Sequence, residues 1–144
     1  AARSLTGQTI AAGASSATFT VAVNGDVLNE PNETFFVNVA NVVGAIIADG
    51  QGQGTIANDD PLPGISAGDV TIVEGNSGSS TALVTVTLDS ASGQAVTVNY
   101  ATANGTATQP SDYGAVSGTL TFPPGQTSQT IAIAIVGDTV PETN

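Results

Sequence analysis

The sequence predicts an all-β protein, an antiparallel Greek-key β-sandwich assembled from tandem repeats. Two observations predict the sandwich: several segments alternate apolar with small polar residues, and short turn sequences separate them. A third observation, an internal repeat, predicts the tandem arrangement. Alternation with a period of two places one face of each strand in a core and the other in water, as an antiparallel sheet requires.

Five segments carry this strand pattern, in which Val, Ile, Leu or Phe alternate with Thr, Ala or Asn. Turn-forming sequences such as Asn104-Gly105 lie between them. The glycine-rich residues 50–54 are predicted to be a flexible hairpin loop. Pro61 and Pro63 cannot donate hydrogen bonds to a sheet, so a short, stiff linker is expected at residues 61–63. The predicted strands are residues 17–23, 81–88, 96–100, 118–122 and 130–135.

An ungapped repeat relates the two ends of the chain. Gly13 aligns with Gly125, an offset of 125 − 13 = 112 residues, and eight of the 20 pairs from residue 13 to residue 32 are identical. The 144 residues therefore hold one period and an overlap of 144 − 112 = 32 residues. We expect residues 1–60 to be the back part of one repeat and residues 64–144 to be the front part of the next, so that neither sandwich is complete.

The charge of the chain limits its partners. The net charge is −11, and Arg3 is the one basic residue against twelve Asp and Glu. A polyanion cannot bind nucleic-acid phosphates and is repelled by anionic lipid surfaces. No apolar segment approaches the length that spans a bilayer, so membrane insertion is not expected. The charged partners that remain are cations.

The composition also argues against an enzyme. The chain has no Cys and no His, which excludes a Ser–His–Asp triad, a Cys nucleophile and an ordinary zinc site. Paired carboxylates can cleave glycosides, but such sites use clefts with aromatic walls, and the chain has only four Phe and two Tyr. A non-enzymatic protein is expected. The low charged fraction of 9% and the lack of Lys suit an extracellular or cell-surface repeat protein.

Several motifs, in the order of a single family, resemble the Calx-beta domain. The resemblance covers nearly the whole chain and implies a seven-stranded immunoglobulin-like sandwich that binds calcium with acidic loops at one end. Similar domains are the calcium sensors of sodium–calcium exchangers, and related repeats occur in tandem in bacterial surface proteins. The motifs are residues 73–76, 98–107, 111–113 and 118–127 for the front half, and residues 25–26, 29–35 and 54–60 for the back half.

The resemblance assigns two sets of acids to calcium, one in each incomplete sandwich. Calcium takes six to eight oxygen ligands, and carboxylates are its usual ones in proteins. The run Asn58-Asp59-Asp60 has two acids where the sensors have three, which implies a single ion and an affinity of roughly 10⁻⁴–10⁻³ M. The assigned acids are Glu74, Asp112, Asp138 and Glu142 in the second repeat, and Asp26, Glu30, Asp59 and Asp60 in the first.

Simpler interpretations exist for some of these acids. Asp26, Asp49 and Asp138 follow or precede glycine in turns, where Asp is favoured because it bonds to its own backbone. Glu74 can be a solvated charge at a sheet edge, which discourages aggregation.

The sequence thus predicts a non-enzymatic extracellular repeat, structural or adhesive, that calcium stiffens and that has an unknown surface ligand. The alternative is a calcium-sensing regulatory or protein-interaction module. The expected partner is a second copy or an adjacent repeat: residues 33–60 of one chain would complete residues 64–144 of the next, head to tail, giving a filament.

Overall fold

A computed structural model describes residues 5–140, and in that range it contains seven β-strands and no helix. The prediction of an all-β, antiparallel protein is confirmed. Because no helix is present in these residues, none is long and apolar enough to cross a membrane. The strands are β1 (Glu33–Asn38), β2 (Gln51–Ile56), β3 (Ile65–Ala67), β4 (Ser79–Leu88), β5 (Val96–Ala101), β6 (Ser117–Phe122) and β7 (Ser128–Val136).

The second part of the chain forms two facing sheets. One has the order β3-β4-β7 and the other pairs β5 with β6, all antiparallel. Val86 and Leu88 of β4 and Phe122 of β6 form the buried centre, with Phe122 fully buried. Alternation along β4 explains this, since every second residue of a strand faces the same side. The strands predicted at residues 81–88, 96–100, 118–122 and 130–135 are confirmed.

Strand β3 was not predicted. It is only three residues long, and it pairs with the end of β4 through Ile65 opposite Leu88. A segment this short carries no readable alternation, so its state depends on the neighbouring strand. Asp89 fixes the entry to β3, because its Oδ1 accepts a hydrogen bond of 2.8 Å from the backbone N–H of Gly64.

Strand β2 corrects the prediction of a flexible loop at residues 50–54. It pairs antiparallel with β1, with Glu33 opposite Ile56 and Asn38 opposite Gln51. Gly54 lies directly opposite Phe35, and the aromatic ring fills the space that a side chain at Gly54 would need. Glycine is therefore required here to seat the ring, and it does not make the segment flexible.

The strand predicted at residues 17–23 is wrong. The structure assigns no strand there, although the repeat aligns these residues with 129–135 of β7. Strand β7 pairs along its length with β4, whereas residues 17–23 pair with no strand in the described chain. Phe19 and Val21 instead face Phe35 and Val37 across an open cleft of about 560 Å³. Within residues 5–140 this segment has no partner strand, and its alternating sequence alone does not make it a strand.

The two parts of the chain meet at one end of the second sandwich. Asn29 forms a parallel bridge with Ser92, and its carbonyl accepts a hydrogen bond of 3.1 Å from the N–H of Gly93. The carbonyl of Ser92 in turn accepts from the N–H of Gly125, in the turn between β6 and β7. We call this contact the junction. The expected repeat limits, residues 1–60 and 64–144 with the linker at 61–63, stay a prediction.

Candidate metal centre

Three loops that carry predicted acids converge at the end of the second sandwich opposite the junction. Glu74 lies between β3 and β4, Asp112 lies between β5 and β6, and Asp138 follows β7. The N–H of Val136 donates a hydrogen bond of 2.9 Å to the backbone carbonyl of Asp112. This bond ties the Asp112 loop to the end of β7, two residues before Asp138. We call this end of the sandwich the acidic end.

Gly137 allows the closest approach at the acidic end. A Cβ atom there would lie 2.7 Å from the carbonyl oxygen of Glu74, closer than real Cβ contacts, and 3.0 Å from that of Gly75. The N–H of Gly137 also donates to the carbonyl of Gly78. Glycine therefore lets the backbone carbonyls of the Glu74 loop face the end of β7. In the repeat the equivalent residue is Gly25, where a Cβ would meet nothing within 4 Å.

Asp112 is half-buried and holds its own loop together. Its Oδ2 accepts a hydrogen bond of 2.6 Å from the N–H of Thr108, and its N–H donates to the Thr108 carbonyl. The next residue, Tyr113, is buried, and its hydroxyl donates to Oδ1 of Asn104 over 2.7 Å. The Ser-Asp-Tyr motif thus has a structural role that was not predicted from the sequence.

Asp26 and Asp138 each form the local turn that their Gly-Asp sequences indicate. Oδ1 of Asp26 accepts from the N–H of Leu28 at 2.9 Å, and Oδ1 of Asp138 accepts from the N–H of Val140 at 2.6 Å. Asp49, which is not assigned to calcium, makes the same bond to Gln51. The local turn therefore accounts for Oδ1 of each of these carboxylates. The second oxygen remains a possible ligand.

Glu30 and Asp60, two of the four acids assigned to the first repeat, lie beside the junction. The N–H of Glu30 donates to Oδ1 of Asn58 over 3.0 Å, and the Glu30 side chain fills the space above Gly93. Side-chain amides of Asn29 and Asn58 both donate to the Asp60 carbonyl, over 2.8 and 2.9 Å. Asn29 and Asn58 organise this region, and sequence reasoning missed them. The only sequence feature that could have identified them is their position inside the motifs at residues 29–35 and 54–60.

The structure brings the acid-bearing loops together but not their carboxylates. Within residues 5–140, no group of three or more acidic side chains is placed to hold a metal ion. Glu142, the fourth acid assigned to the second repeat, lies outside the described residues. The assignment of the eight acids to calcium stays a prediction.

The sequence model of the Calx-beta domain family matches the chain twice, over residues 9–60 and residues 57–144. Two successive matches agree with the tandem repeat that the sequence predicts. Comparisons with curated proteins and with solved structures give no match.

Proposed function

We propose that this chain, which belongs to the Calx-beta family, is a non-enzymatic extracellular repeat, structural or adhesive, that calcium stiffens. The family is one of calcium-related binding and interaction modules, and its domains are not catalytic. The extracellular location is inferred from the composition: a charged fraction of 9%, no Lys, and many Thr, Ser, Ala and Val residues.

One observation carries the calcium proposal: three acid-bearing loops converge at the acidic end. Calcium binds carboxylate and carbonyl oxygens, and this end presents both kinds. The carbonyls of Glu74 and Gly75 face Gly137, while Asp112 and Asp138 each have one carboxylate oxygen bonded to a backbone N–H. These are the oxygen types that a hard cation takes, but the loops would have to bring their carboxylates closer together to share one ion. With calcium bound, Glu74, Asp112, Asp138 and Glu142 would supply its ligands in the second repeat, and Asp26, Glu30, Asp59 and Asp60 would do so in the first.

Stiffening follows from the elements that these loops connect. The acidic end joins the β3–β4 loop, the β5–β6 loop and the end of β7, which belong to both sheets. A cation shared by the three loops would resist their separation. It would also relieve the repulsion between acids in a chain of net charge −11.

Thermal unfolding with and without calcium tests this proposal. Since a ligand that binds only the folded state stabilises it, millimolar calcium is expected to raise Tm, and Asp112→Asn is expected to reduce this rise. The matched control is Asp49→Asn, because Asp49 makes the same kind of turn away from the acidic end. An equal rise in Tm for the two variants, or no rise for the native chain, would reject the calcium site.

The alternative function is a calcium-sensing regulatory or interaction module. The bond from Val136 to the Asp112 carbonyl favours it, because a shift of that loop would move the end of β7. A sensor would change its shape at micromolar calcium, whereas a spacer would respond at millimolar calcium and mainly in stability. Small-angle scattering over a calcium titration separates the two.

Head-to-tail association of copies and an adhesive surface ligand belong to the same proposal. Both parts of the chain expose apolar side chains, among them Phe19, Phe36 and Ile65. Such surfaces are typical of protein contacts. Sizing of the 144-residue chain over a concentration series tests association, and a monomer at every concentration would contradict it.

A further inference from the structure

The peptide bond between Asp60 and Pro61 lies where the first part of the chain meets the linker. No other Asp of the chain precedes a proline. An Asp–Pro bond is more reactive than other peptide bonds for two reasons. The Asp carboxylate can reach its own backbone carbonyl carbon, and the proline nitrogen, which belongs to a tertiary amide, departs readily once it gains a proton. The surroundings of this bond therefore decide whether it is stable.

Two side-chain amides donate hydrogen bonds to the carbonyl oxygen of this bond. Nδ2 of Asn29 lies 2.8 Å from the Asp60 carbonyl oxygen, and Nδ2 of Asn58 lies 2.9 Å from it. Both hydrogen bonds are partly buried. Donors at roughly 2.7–3.1 Å, Asn side chains among them, stabilise the oxyanion that forms when a carbonyl carbon is attacked. The two amides are therefore arranged as an oxyanion hole around the Asp60 carbonyl.

The amide of Asn58 is held in the orientation that this role requires. Its Oδ1 accepts a hydrogen bond of 3.0 Å from the N–H of Glu30. Because a backbone N–H can only donate, the amide oxygen faces Glu30 and the amide nitrogen faces Asp60. The N–H of Asn58 also donates to Oδ1 of Asn32 over 2.8 Å. The donor is thus positioned before any reaction begins, which is what makes such groups effective.

The amide of Asn29 is positioned by the second sandwich. The Asn29 carbonyl accepts from the N–H of Gly93 over 3.1 Å and from the hydroxyl of Ser92 over 3.4 Å, and Ser92 is buried. Asn29 is 31 residues from Asp60 in the sequence, whereas Asn58 is two residues away. Only the folded chain therefore brings both amides to the same oxygen.

The carboxylate of Asp60 is available as the attacking group. Within residues 5–140 it forms no hydrogen bond, and the residue is half-buried. Attack on its own backbone carbonyl carbon closes a five-membered ring, so rotation of the side chain is enough to bring the reacting atoms together. No group from another residue has to move.

We infer that the folded chain cleaves its own Asp60–Pro61 bond. A carboxylate oxygen of Asp60 bonds to the Asp60 carbonyl carbon, and the negative charge passes to the carbonyl oxygen, where the two amides stabilise it. The C–N bond to Pro61 then breaks, and the proline nitrogen takes a proton from water. Water opens the cyclic anhydride that remains on Asp60. The net reaction hydrolyses one peptide bond and needs no oxidant or cofactor.

The cut would fall at the expected limit between the first repeat and the linker. The products are residues 1–60 and residues 61–144, which would remain held together by the hydrogen bonds of the junction. One cleavage per molecule is not turnover, so the reaction agrees with a protein that is not an enzyme. The inference goes beyond the proposed function and needs no bound calcium.

A comparison of the folded chain with the same chain unfolded in urea tests the inference. Both samples are kept in one mildly acidic buffer without calcium, because a cation on Asp60 would occupy the attacking carboxylate. Mass spectrometry measures the fragments that end at Asp60 and begin at Pro61. We expect the folded chain to be cleaved at least about tenfold faster, since unfolding separates Asn29 from the carbonyl.

Substitutions identify the groups responsible. Asn29→Ala and Asn58→Ala are each expected to slow cleavage roughly tenfold, the effect of one lost hydrogen bond. Asp60→Ala removes the attacking group and is expected to abolish cleavage. The matched controls are Asn24→Ala and Asp69→Ala, at exposed residues outside any strand, and both should be cleaved at the native rate. A melt of each variant in the same buffer confirms that it folds.

Three results would overturn the inference. They are a folded native chain that is cleaved no faster than the unfolded chain, native rates in Asn29→Ala and Asn58→Ala, and cleavage of Asp60→Ala at the same bond. The first result needs no variant. A faster reaction in urea would show that the fold protects the bond. None of these results bears on the calcium response of Tm, so a failure here and a failure of the calcium proposal can be told apart.

Discussion

Tyr100 and Tyr113, the two tyrosines of the chain, lie in different surroundings. Tyr113 is 7% exposed, and its hydroxyl donates to Asn104, which also accepts from the N–H of Gln109. Tyr100 is half-buried and lies over Gly118. The first tyrosine therefore stabilises the loop that carries Asp112 through a partly buried hydrogen bond, and the second contributes mainly its ring.

We predict that Tyr113→Phe lowers the free energy of unfolding by about 0.5–1.5 kcal/mol, because it removes one partly buried hydrogen bond. Tyr100→Phe is the matched control and is expected to be near neutral. Urea denaturation of the two variants measures the difference. Equal losses for both would show that the hydroxyl of Tyr113 has no special role.

Gly54 and Gly52 allow a similar comparison within β2. We predict that Gly54→Ala destabilises the β1–β2 hairpin by about 1–3 kcal/mol, since a Cβ would collide with the ring of Phe35. Gly52→Ala meets nothing within 4 Å and serves as the control. Hydrogen exchange at the amides of β1 reads out the change. If Gly52→Ala raised hydrogen exchange as much as Gly54→Ala does, the loss of a glycine would explain the change, and the collision with Phe35 would not.

At this scale the sequence predicted local geometry better than long-range contacts. The turns of Asp26 and Asp138 follow from their Gly-Asp sequences, because their hydrogen bonds span only two residues. The bond from Asn29 to the Asp60 carbonyl spans 31 residues. No local pattern encodes it. The placement of the carboxylates was beyond reach for the same reason, as it depends on how separate loops pack.

At the scale of elements, residues 17–23 and β7 provide a comparison within one chain. They align without gaps in the repeat and share an alternating apolar pattern. Only β7 has a partner, since β4 pairs with it from Ser79 to Thr87. Strand formation here depends on pairing and burial more than on propensity. Alternation therefore predicted four of the strands correctly and failed at residues 17–23, which have no partner strand among residues 5–140.

We predict that hydrogen exchange separates these two segments. The amides of β7 that bond to β4 are expected to exchange only through large-scale opening, whereas those of residues 17–23 are expected to exchange close to the rates of an unfolded chain. An NMR exchange experiment on the native chain measures both. Comparable protection of the two segments would mean that residues 17–23 have found a partner strand.

Strands β2 and β3 show the opposite error of prediction, because both are strands although their sequences carry only a weak strand pattern. The Gln51-Gly52-Gln53-Gly54 sequence has low strand propensity, but β1 supplies a complete pairing partner and Phe35 covers Gly54. Strand β3 is too short to show a period. Both strands are decided by a neighbour that lies elsewhere in the sequence.

At the scale of the whole molecule, the junction sets how the two parts are joined. Asn29 is central to it: its backbone carbonyl accepts from Gly93, and its side-chain amide donates to the Asp60 carbonyl. The linker residues Pro61 and Pro63 restrict the backbone conformations of the chain between the two parts. The direction of one repeat relative to the next therefore depends on a few hydrogen bonds beside the acids of the first repeat.

We predict that Asn29→Ala loosens the junction without destabilising the second sandwich. The side-chain bond to Asp60 is lost, while the core around Phe122 is untouched. NMR relaxation should then show two parts that tumble more independently, with an unchanged melt of the second sandwich. Asn24→Ala, at an exposed residue outside any strand, is the control. Unchanged relaxation in Asn29→Ala would show that the linker alone restricts the motion of the two parts relative to each other.

The charge of the chain has a consequence for the proposed association of copies in solution. Every copy carries −11, so two copies repel each other before their apolar faces can meet. The Debye length falls from about 30 Å at 0.01 M salt to about 8 Å at 0.15 M. Dilute buffer should therefore keep copies apart, and saline conditions should let them join. A comparison of sodium and calcium salts at equal ionic strength would then separate simple screening from bound calcium.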